Sequence, residues 1–192
     1  MNRLFTLLFV ALFIHPSFEL SAQQQEPDED FKQQLRKAIS DADQFEDKYA
    51  AQVWLTDMST RLAERAPHIP ESERLNLLAL VHKEATRNNL NPQVVLSLIQ
   101  IESSFDHYAL SKVGARGLMQ VMPFWIDVIG EKQDNLFDIA TNLRYGCAIL
   151  AIYMKREKNE ITTALARYHG SYPKDYYSRK VVKAWQSNWL YY

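Results

Sequence analysis

Residues 91–105 read NPQVVLSLIQIESSF, and this stretch decides how the rest of the chain is interpreted. Asn91 can cap a helix N-terminus, and Pro92 suits the first helical position. In the helix that follows, four side chains at i, i+3, i+4 and i+7 share one face: Val95, Leu98, Ile99 and Glu102. Burial against this apolar stripe would disfavour the charged carboxylate and raise the pKa of Glu102, which makes it a candidate general acid. The alternative is a structural Glu that turns outward or pairs with an arginine.

Similar patterns on both sides of this stretch predict further helices. Residues 31–66 contain no Gly or Pro and carry apolar side chains at three- and four-residue steps, which predicts an amphipathic helix that is broken at most once. A second helix is expected from Pro70 to about Asn89. Downstream we expect a helix-like segment GLMQVMPFW closed by Pro123, then helices from about Asn135 to Lys155, near Ile161 to Tyr168 and near Lys174 to Trp189. Only VVLSLI could pass for a strand, so the chain is predicted to be mostly α.

The N-terminal region has the pattern of an export signal. Arg3 precedes an apolar run from Leu4 to Ile14 that is about half the ~20 residues needed to span a bilayer, and Ala22 is a suitable cleavage point. Residues 1–22 are therefore predicted to be a signal peptide, with an uncleaved anchor as the alternative. Residues 23–30 are polar and acidic and predict a disordered leader. The remaining chain divides into an N-terminal helical extension, 31–69, and a main domain, 70–192.

Composition excludes several classes of protein. The chain has 192 residues, with 22 Lys and Arg against 23 Asp and Glu, so its formal net charge is −1. This balance argues against a nucleic-acid binder, and the aromatic content argues against disorder. The single cysteine, Cys147, excludes an internal disulfide and is expected to be a buried, inert thiol. The five histidines lack metal-ligand spacing, so we expect neither a metal nor a cofactor.

The motifs around Glu102 resemble a known family. Glu102-Ser103-Ser104-Phe105, followed by GARGLMQVMP at 114–123, are similar to the two leading motifs of the soluble lytic transglycosylase (SLT) domain. The resemblance continues at Asn142-Leu143, at ARYHG in 166–170, and at Tyr177 with Lys180-Val181. It covers roughly residues 75–185.

The resemblance implies a lysozyme-like helical domain of the SLT or goose-lysozyme type, carrying an additional N-terminal helical segment. It also implies cleavage of the β-1,4 bond between N-acetylmuramic acid and N-acetylglucosamine in peptidoglycan glycan strands, with Glu102 as the single catalytic acid and base. The C6 hydroxyl of the muramic acid would attack C1, so that a 1,6-anhydro end forms and no water is consumed. Two alternatives remain open: a muramidase that uses water, and a catalytically weak module that binds or assembles peptidoglycan.

The same resemblance suggests supporting residues. Gln120 would reach the bound sugar with its amide, and Tyr168 would place its hydroxyl near Glu102. Met119 would line the groove, or it could be ordinary core filler. Ser103 could orient the carboxyl group or simply end the helix. The resemblance adds three further residues to the substrate-binding set: Asn142, Tyr177 and His169, the last standing where the family usually has Asn.

Three further expectations complete the sequence-based interpretation. Asp106 follows the helix and is expected to cap a loop rather than act as a second catalytic carboxylate. No cysteine follows the apolar N-terminal run to accept a lipid, so the mature protein is expected to be periplasmic or secreted. The helical extension could pack on the domain, restrict the groove, or dock a cell-wall or secretion-machinery partner.

Overall fold

The described part of the chain is built almost entirely from helices, which confirms the mostly α prediction. A computed structural model describes residues 48–190 and, ahead of them, Glu29. The predicted signal peptide, the rest of the leader and the extension before residue 48 lie outside the described residues. The helices are α1 (Lys48–Arg65), α2 (Glu71–Arg87), α3 (Pro92–Ser103), α4 (Phe124–Ile129), α5 (Ile139–Arg156), α6 (Ile161–His169) and α7 (Tyr176–Ala184), and α7 continues into a π-helical segment, Trp185–Trp189.

Helix α3 lies at the centre of the domain. Its residues 93–99 are all buried, because α2, α7 and the π-helical segment pack around it. A helix that carries apolar side chains all round is stable only when other elements of the protein cover it on all sides. Its start is as predicted: the Asn91 side chain accepts a hydrogen bond from the Gln93 amide at 2.8 Å, and Pro92 follows as the first helical residue. The helix ends at Ser103, and the backbone of the next residue, Ser104, is left-handed.

The segment between α3 and α4 differs from the prediction. Residues 117–120 form a turn, and the helix begins only after Pro123, so the expected helix over GLMQVMPFW is wrong for residues 117–122. Gly117 and Gln120 have positive φ angles of 72° and 49°, which an α-helix does not accommodate. Among residues 48–190, backbone pairing of the β type is limited to two isolated bridges, Leu110 with Arg116 and Arg116 with Val121.

Two other helices begin later than expected, and for α5 the reason is a downstream residue that caps it. Helix α5 starts at Ile139, since the Asp138 side chain accepts from the Thr141 amide at 2.8 Å, whereas the Asn135 side chain closes a turn by accepting from the Phe137 amide at 3.0 Å. Helix α7 starts at Tyr176, two residues after the predicted position, and changes to π-helix at Trp185.

Helix α1 packs on the main domain. Its apolar face buries Trp54, Met58 and Leu62 against α2, and the Trp54 ring meets His82 edge-on at 4.9 Å between centroids. Of the three roles considered for the extension, residues 48–65 therefore serve at least the first, which is packing. None of the described helices combines the length and the apolar character needed to cross a membrane.

Candidate active site

Glu102 is half-buried in the last turn of α3. The stripe residues that precede it on the same face, Val95, Leu98 and Ile99, are fully buried. Burial raises the pKa of Glu102 from its ordinary 4.5 to about 7, although a hydrogen bond from Tyr177 acts in the opposite direction. This is the direction expected from the apolar stripe. A carboxyl group with such a pKa can hold a proton near neutral pH and can also take one up.

Tyr177, from α7, is the direct partner of Glu102. Its hydroxyl donates to Glu102 Oε1 at 2.5 Å, and its ring is buried. Burial, together with the neighbouring Glu102 charge, raises the pKa of Tyr177 well above its usual value. Tyr177 therefore stays protonated and remains a hydrogen-bond donor whenever Glu102 is ionised. The helices α3 and α7 thus bring together two residues that are 75 positions apart in sequence.

The hydroxyl of Tyr168 is bonded to a backbone group near Glu102. Its buried hydroxyl donates to the backbone carbonyl of Met119 at 2.7 Å, not to Glu102. The charge of Glu102 contributes to the raised pKa of Tyr168, after the larger effect of burial, so the two groups lie within electrostatic range. Tyr168 therefore holds the 117–120 turn, and the hydroxyl that is hydrogen-bonded to the acid comes from Tyr177. That Tyr168 also steadies Glu102 stays a prediction.

Asn142 organises the turn that faces the end of α3. Its Oδ1 accepts from the Met119 amide at 2.8 Å, and its Nδ2 donates to the carbonyls of Arg116 at 2.9 Å and Leu136 at 2.7 Å. The residue is almost fully buried. Gly117 approaches the Asn142 amide so closely that a Cβ at this position would collide with it. Asn142 thus forms its hydrogen bonds with backbone groups of the protein and stabilises the turn.

Ser103 and Gln120 are also engaged with the backbone. The Ser103 hydroxyl lies 2.8 Å from the Leu118 carbonyl and 3.1 Å from the Ile99 carbonyl, so it joins the end of α3 to the turn. Gln120 Nε2 donates to the carbonyls of Gly117 at 3.0 Å and Ala109 at 3.2 Å. The nitrogen of the Gln120 amide is therefore used within the protein, and contact of this amide with a sugar stays a prediction.

Met119 lies in the core, which favours the packing interpretation over a groove-lining role. Its side chain is fully buried and rests directly on Gly146 of α5. A Cβ on Gly146 would overlap the sulfur, Cβ and Cε of Met119. The glycine is therefore required here by close packing rather than by an unusual backbone conformation.

His169 stacks on the tyrosine that contacts the acid. The rings of His169 and Tyr177 are 4.0 Å apart between centroids and nearly parallel, at 9°, while Tyr176 meets His169 edge-on at 6.0 Å. Burial lowers the pKa of His169, and the Lys180 charge lowers it further, so the ring is neutral at pH 7. Its Nδ1 is buried without a hydrogen-bond partner. The resemblance marks both positions, but their stacking depends on the path of residues 170–175 and has no signal in the sequence.

Two residues that the sequence analysis did not single out also join the elements of the site. Gln100, two positions before Glu102, accepts a hydrogen bond from the indole Nε1 of Trp189 at 2.8 Å. Trp189 lies in the π-helical segment that continues α7. A polar residue between apolar neighbours in a buried helix, IQI at 99–101, was the available signal. Asp106, by contrast, behaves as expected: it is exposed, and its Oδ1 accepts from the Tyr108 amide at 2.8 Å.

The helical domain, with an acid at the end of a buried helix facing a tyrosine donor, corresponds to the class suggested by the sequence motifs. The profile of the Transglycosylase SLT domain family matches residues 79–180, more than half of the chain. The chain belongs to this family, and its fold is of the lysozyme-like helical class.

Individual relatives carry names of the same kind. The chain is 39% identical over 82 residues to a transglycosylase of Enterobacteria phage PRD1, covering 43% of this chain and 30% of the relative. It is 33% identical over 99 residues to membrane-bound lytic murein transglycosylase C of Haemophilus influenzae, covering 47% and 28%. The matched region thus spans less than a third of the length of these relatives. An X-ray structure of an inactive mutant of the lytic transglycosylase Slt from Pseudomonas aeruginosa is 26% identical, with a TM-score of 0.44, over 48% of this chain and 16% of that one.

Proposed function

We propose that this protein is an exported peptidoglycan lytic transglycosylase that cleaves the β-1,4 bond between N-acetylmuramic acid and N-acetylglucosamine and leaves a 1,6-anhydromuramoyl end. One observation carries the proposal. Glu102 lies within the SLT-matched region, is half-buried, has a pKa raised to about 7, and accepts a hydrogen bond from Tyr177. Transglycosylase activity is also what the names of both relatives describe for those proteins, and the Haemophilus influenzae relative is named as lytic and as acting on murein.

The proposed reaction uses Glu102 twice. The protonated carboxyl group donates its proton to the glycosidic oxygen, and the bond from that oxygen to C1 of the muramic acid breaks. The N-acetyl carbonyl of the same sugar stabilises the positive charge that develops at C1. The Glu102 carboxylate then removes the proton of the C6 hydroxyl as O6 bonds to C1, which returns Glu102 to its protonated form. The attacking oxygen belongs to the same sugar, so its proximity favours it over water.

The rest of the site supports a mechanism with one carboxylate. Most glycosidases place two carboxylates across the bond, one of which is a nucleophile or activates water. Asp106 is the nearest second carboxylate in sequence, and it is exposed and engaged in a turn. Tyr177, being neutral, can stabilise the Glu102 carboxylate after proton donation without competing for the proton.

Location and partners are part of the same proposal. The predicted signal peptide supports a periplasmic or secreted protein, and a peptidoglycan substrate requires an extracytoplasmic location. Helix α1 already uses its apolar face against α2, so a protein partner docking there would meet the opposite face, where Val53 is exposed.

Digestion of purified cell walls tests the proposal. We expect anhydro-muropeptides, each one water lighter than the product with a reducing end, when mass spectrometry follows digestion by the parent protein. Glu102→Gln should release none, whereas the matched control Asp106→Asn should release the same products as the parent. Reducing ends in place of anhydro ends would identify a muramidase. Binding to cell walls without release by the parent would identify a binding module.

A further inference from the structure

A second set of hydrogen bonds joins the two helices that carry the site. Glu102 lies on α3 and Tyr177 on α7, and α7 continues into the π-helical segment. From that segment, Trp189 Nε1 and Asn188 Nδ2 both donate to Gln100 Oε1, at 2.8 Å and 3.1 Å. The two elements are therefore connected twice, once through Glu102 and Tyr177 and once through this single amide oxygen.

Helix α1 strengthens the second connection from outside. Arg65 Nη2 donates to Asn188 Oδ1 at 2.8 Å, and Arg61 Nη1 donates to the Asn188 backbone carbonyl at 3.2 Å. The Arg65 guanidinium also lies 5.9 Å from the centre of the Trp189 ring. Apart from Gln100, all of these residues lie outside positions 79–180, the part of the chain that the SLT profile matches. Most of the connection thus lies outside the region that the profile matches.

The position of Trp189 allows little adjustment. Its side chain is fully buried and packs at a tilt against Phe105, 5.7 Å between ring centroids, just after the end of α3. A buried indole N–H needs an acceptor, because an unpaired donor in the interior is costly. Gln100 supplies that acceptor from α3 itself, so the position of α3 and the position of the π-helical segment are coupled.

We propose that Gln100 and Trp189, braced by Asn188 and α1, are positioning residues that set the separation between the Glu102 carboxyl group and the Tyr177 hydroxyl. Gln100 is two residues from Glu102, and Trp189 is twelve residues beyond Tyr177 along one continuous helical path. Loss of the connection would let α7 shift along α3, and the first contact to lengthen would be the one between Tyr177 and Glu102. The inference rests on the proposed function only where activity is the measurement.

The ionisable groups around the acid make this shift measurable. Tyr177 and Tyr168 interact with Glu102, His169 stacks on Tyr177, and Lys180 acts on His169. None of the connecting side chains Gln100, Asn188 and Trp189 titrates between pH 4 and 10. An uncharged replacement at these positions can therefore change the pKa of Glu102 only by moving the groups that surround it. A longer bond from Tyr177 would raise that pKa, because the bond opposes the effect of burial.

The test uses Gln100→Met, which removes the acceptor, keeps the side-chain length and adds no charge. Ser97→Ala is the matched control, since it removes a buried hydroxyl from the same helix that bonds only to Gln93. The full chain is used, and the pKa of Glu102 is followed by NMR titration of its side-chain carboxyl carbon. For each protein we also record the upper limb of the pH profile for anhydro-product release and the Tm.

We expect Gln100→Met to raise the pKa of Glu102, to shift the upper limb by the same amount, and to lower the maximal rate about tenfold with KM unchanged. Trp189→Phe should act alike, and the double variant should lose no more than either single one. Ser97→Ala should leave the pKa of Glu102 in place. Equal loss of Tm in Gln100→Met and Ser97→Ala, with no change in the pKa of Glu102, would overturn the inference. If Gln100→Met does not fold, Trp189→Phe decides by the same criterion. A parent protein that shows the raised pKa but releases no anhydro product would refute the proposed function alone.

Discussion

Removing the Tyr177 hydroxyl tests the electrostatic balance at Glu102 most directly. In Tyr177→Phe the ring and its stacking on His169 are retained, and only the donor to Glu102 Oε1 is lost. Burial alone then determines the pKa of Glu102. Since the hydrogen bond lowers this pKa, its removal must raise it. The proposed mechanism requires the protonated acid, so the upper limb of the pH profile should move to higher pH.

The size of the shift follows from the strength of the bond. A hydrogen bond to a charged group contributes about 1.5–3 kcal/mol. The protonated carboxyl group can also accept from Tyr177, so only part of this energy distinguishes the two ionisation states. A difference of about 1.4 kcal/mol corresponds to one pKa unit, and we therefore expect the limb to move from about 7 in the parent to about 8 in Tyr177→Phe.

The assay is the initial rate of anhydro-product release from purified cell walls between pH 5 and 9, at constant ionic strength. Tyr168→Phe is the matched control, since it removes an equally buried hydroxyl whose partner is the Met119 carbonyl. It should lower the Tm and leave the limb at about 7. The reasoning fails if the limb of Tyr177→Phe stays in place or moves to lower pH, or if Tyr168→Phe shifts it equally.

Three further outcomes follow from the same contacts. Glu102→Gln should raise the Tm at pH 8, because the folded state of the parent disfavours the carboxylate. The gain should shrink as the pH falls from about 7 and vanish below about 4.5, where Glu102 is protonated in both the folded and the unfolded chain; a gain independent of pH would contradict this. His169→Asn should lower the Tm through the lost stacking but remove no limb above pH 7, because burial and the Lys180 charge lower the pKa of His169; a limb that disappears there would show that His169 titrates during activity. Gly146→Ala should destabilise the fold by about 1–3 kcal/mol through overlap with Met119, and denaturant unfolding that matches the parent would refute the packing argument.

Local signals in the sequence were sufficient for the central helix and its acid. Asn91 and Pro92 mark the start of α3, and the apolar stripe indicates which face is buried and why the pKa of Glu102 is raised. These features depend on residues only a few positions apart, so spacing alone reveals them.

The turn at 117–120 and the choice between the two tyrosines could not be predicted in this way. The left-handed backbone of Gln120 exists because Asn142, on a distant helix, holds the turn by hydrogen bonds to its neighbours. Whether Tyr168 or Tyr177 donates to Glu102 depends on how α6 and α7 pack around α3. Such outcomes are set by tertiary contacts between segments far apart in the chain.

The Asn142 side chain has a consequence for the dynamics of the turn. A turn of this kind normally exchanges its amide protons with solvent quickly, because nothing protects them. Here the Met119 amide donates a hydrogen bond to the buried side chain of Asn142, a residue of α5. Its exchange with deuterium should therefore be as slow as that of the α5 backbone and should accelerate only when the whole domain unfolds. The turn at 117–120 would then open as rarely as the core of the domain. Any adaptation of the proposed site to different glycan strands would have to come from other segments.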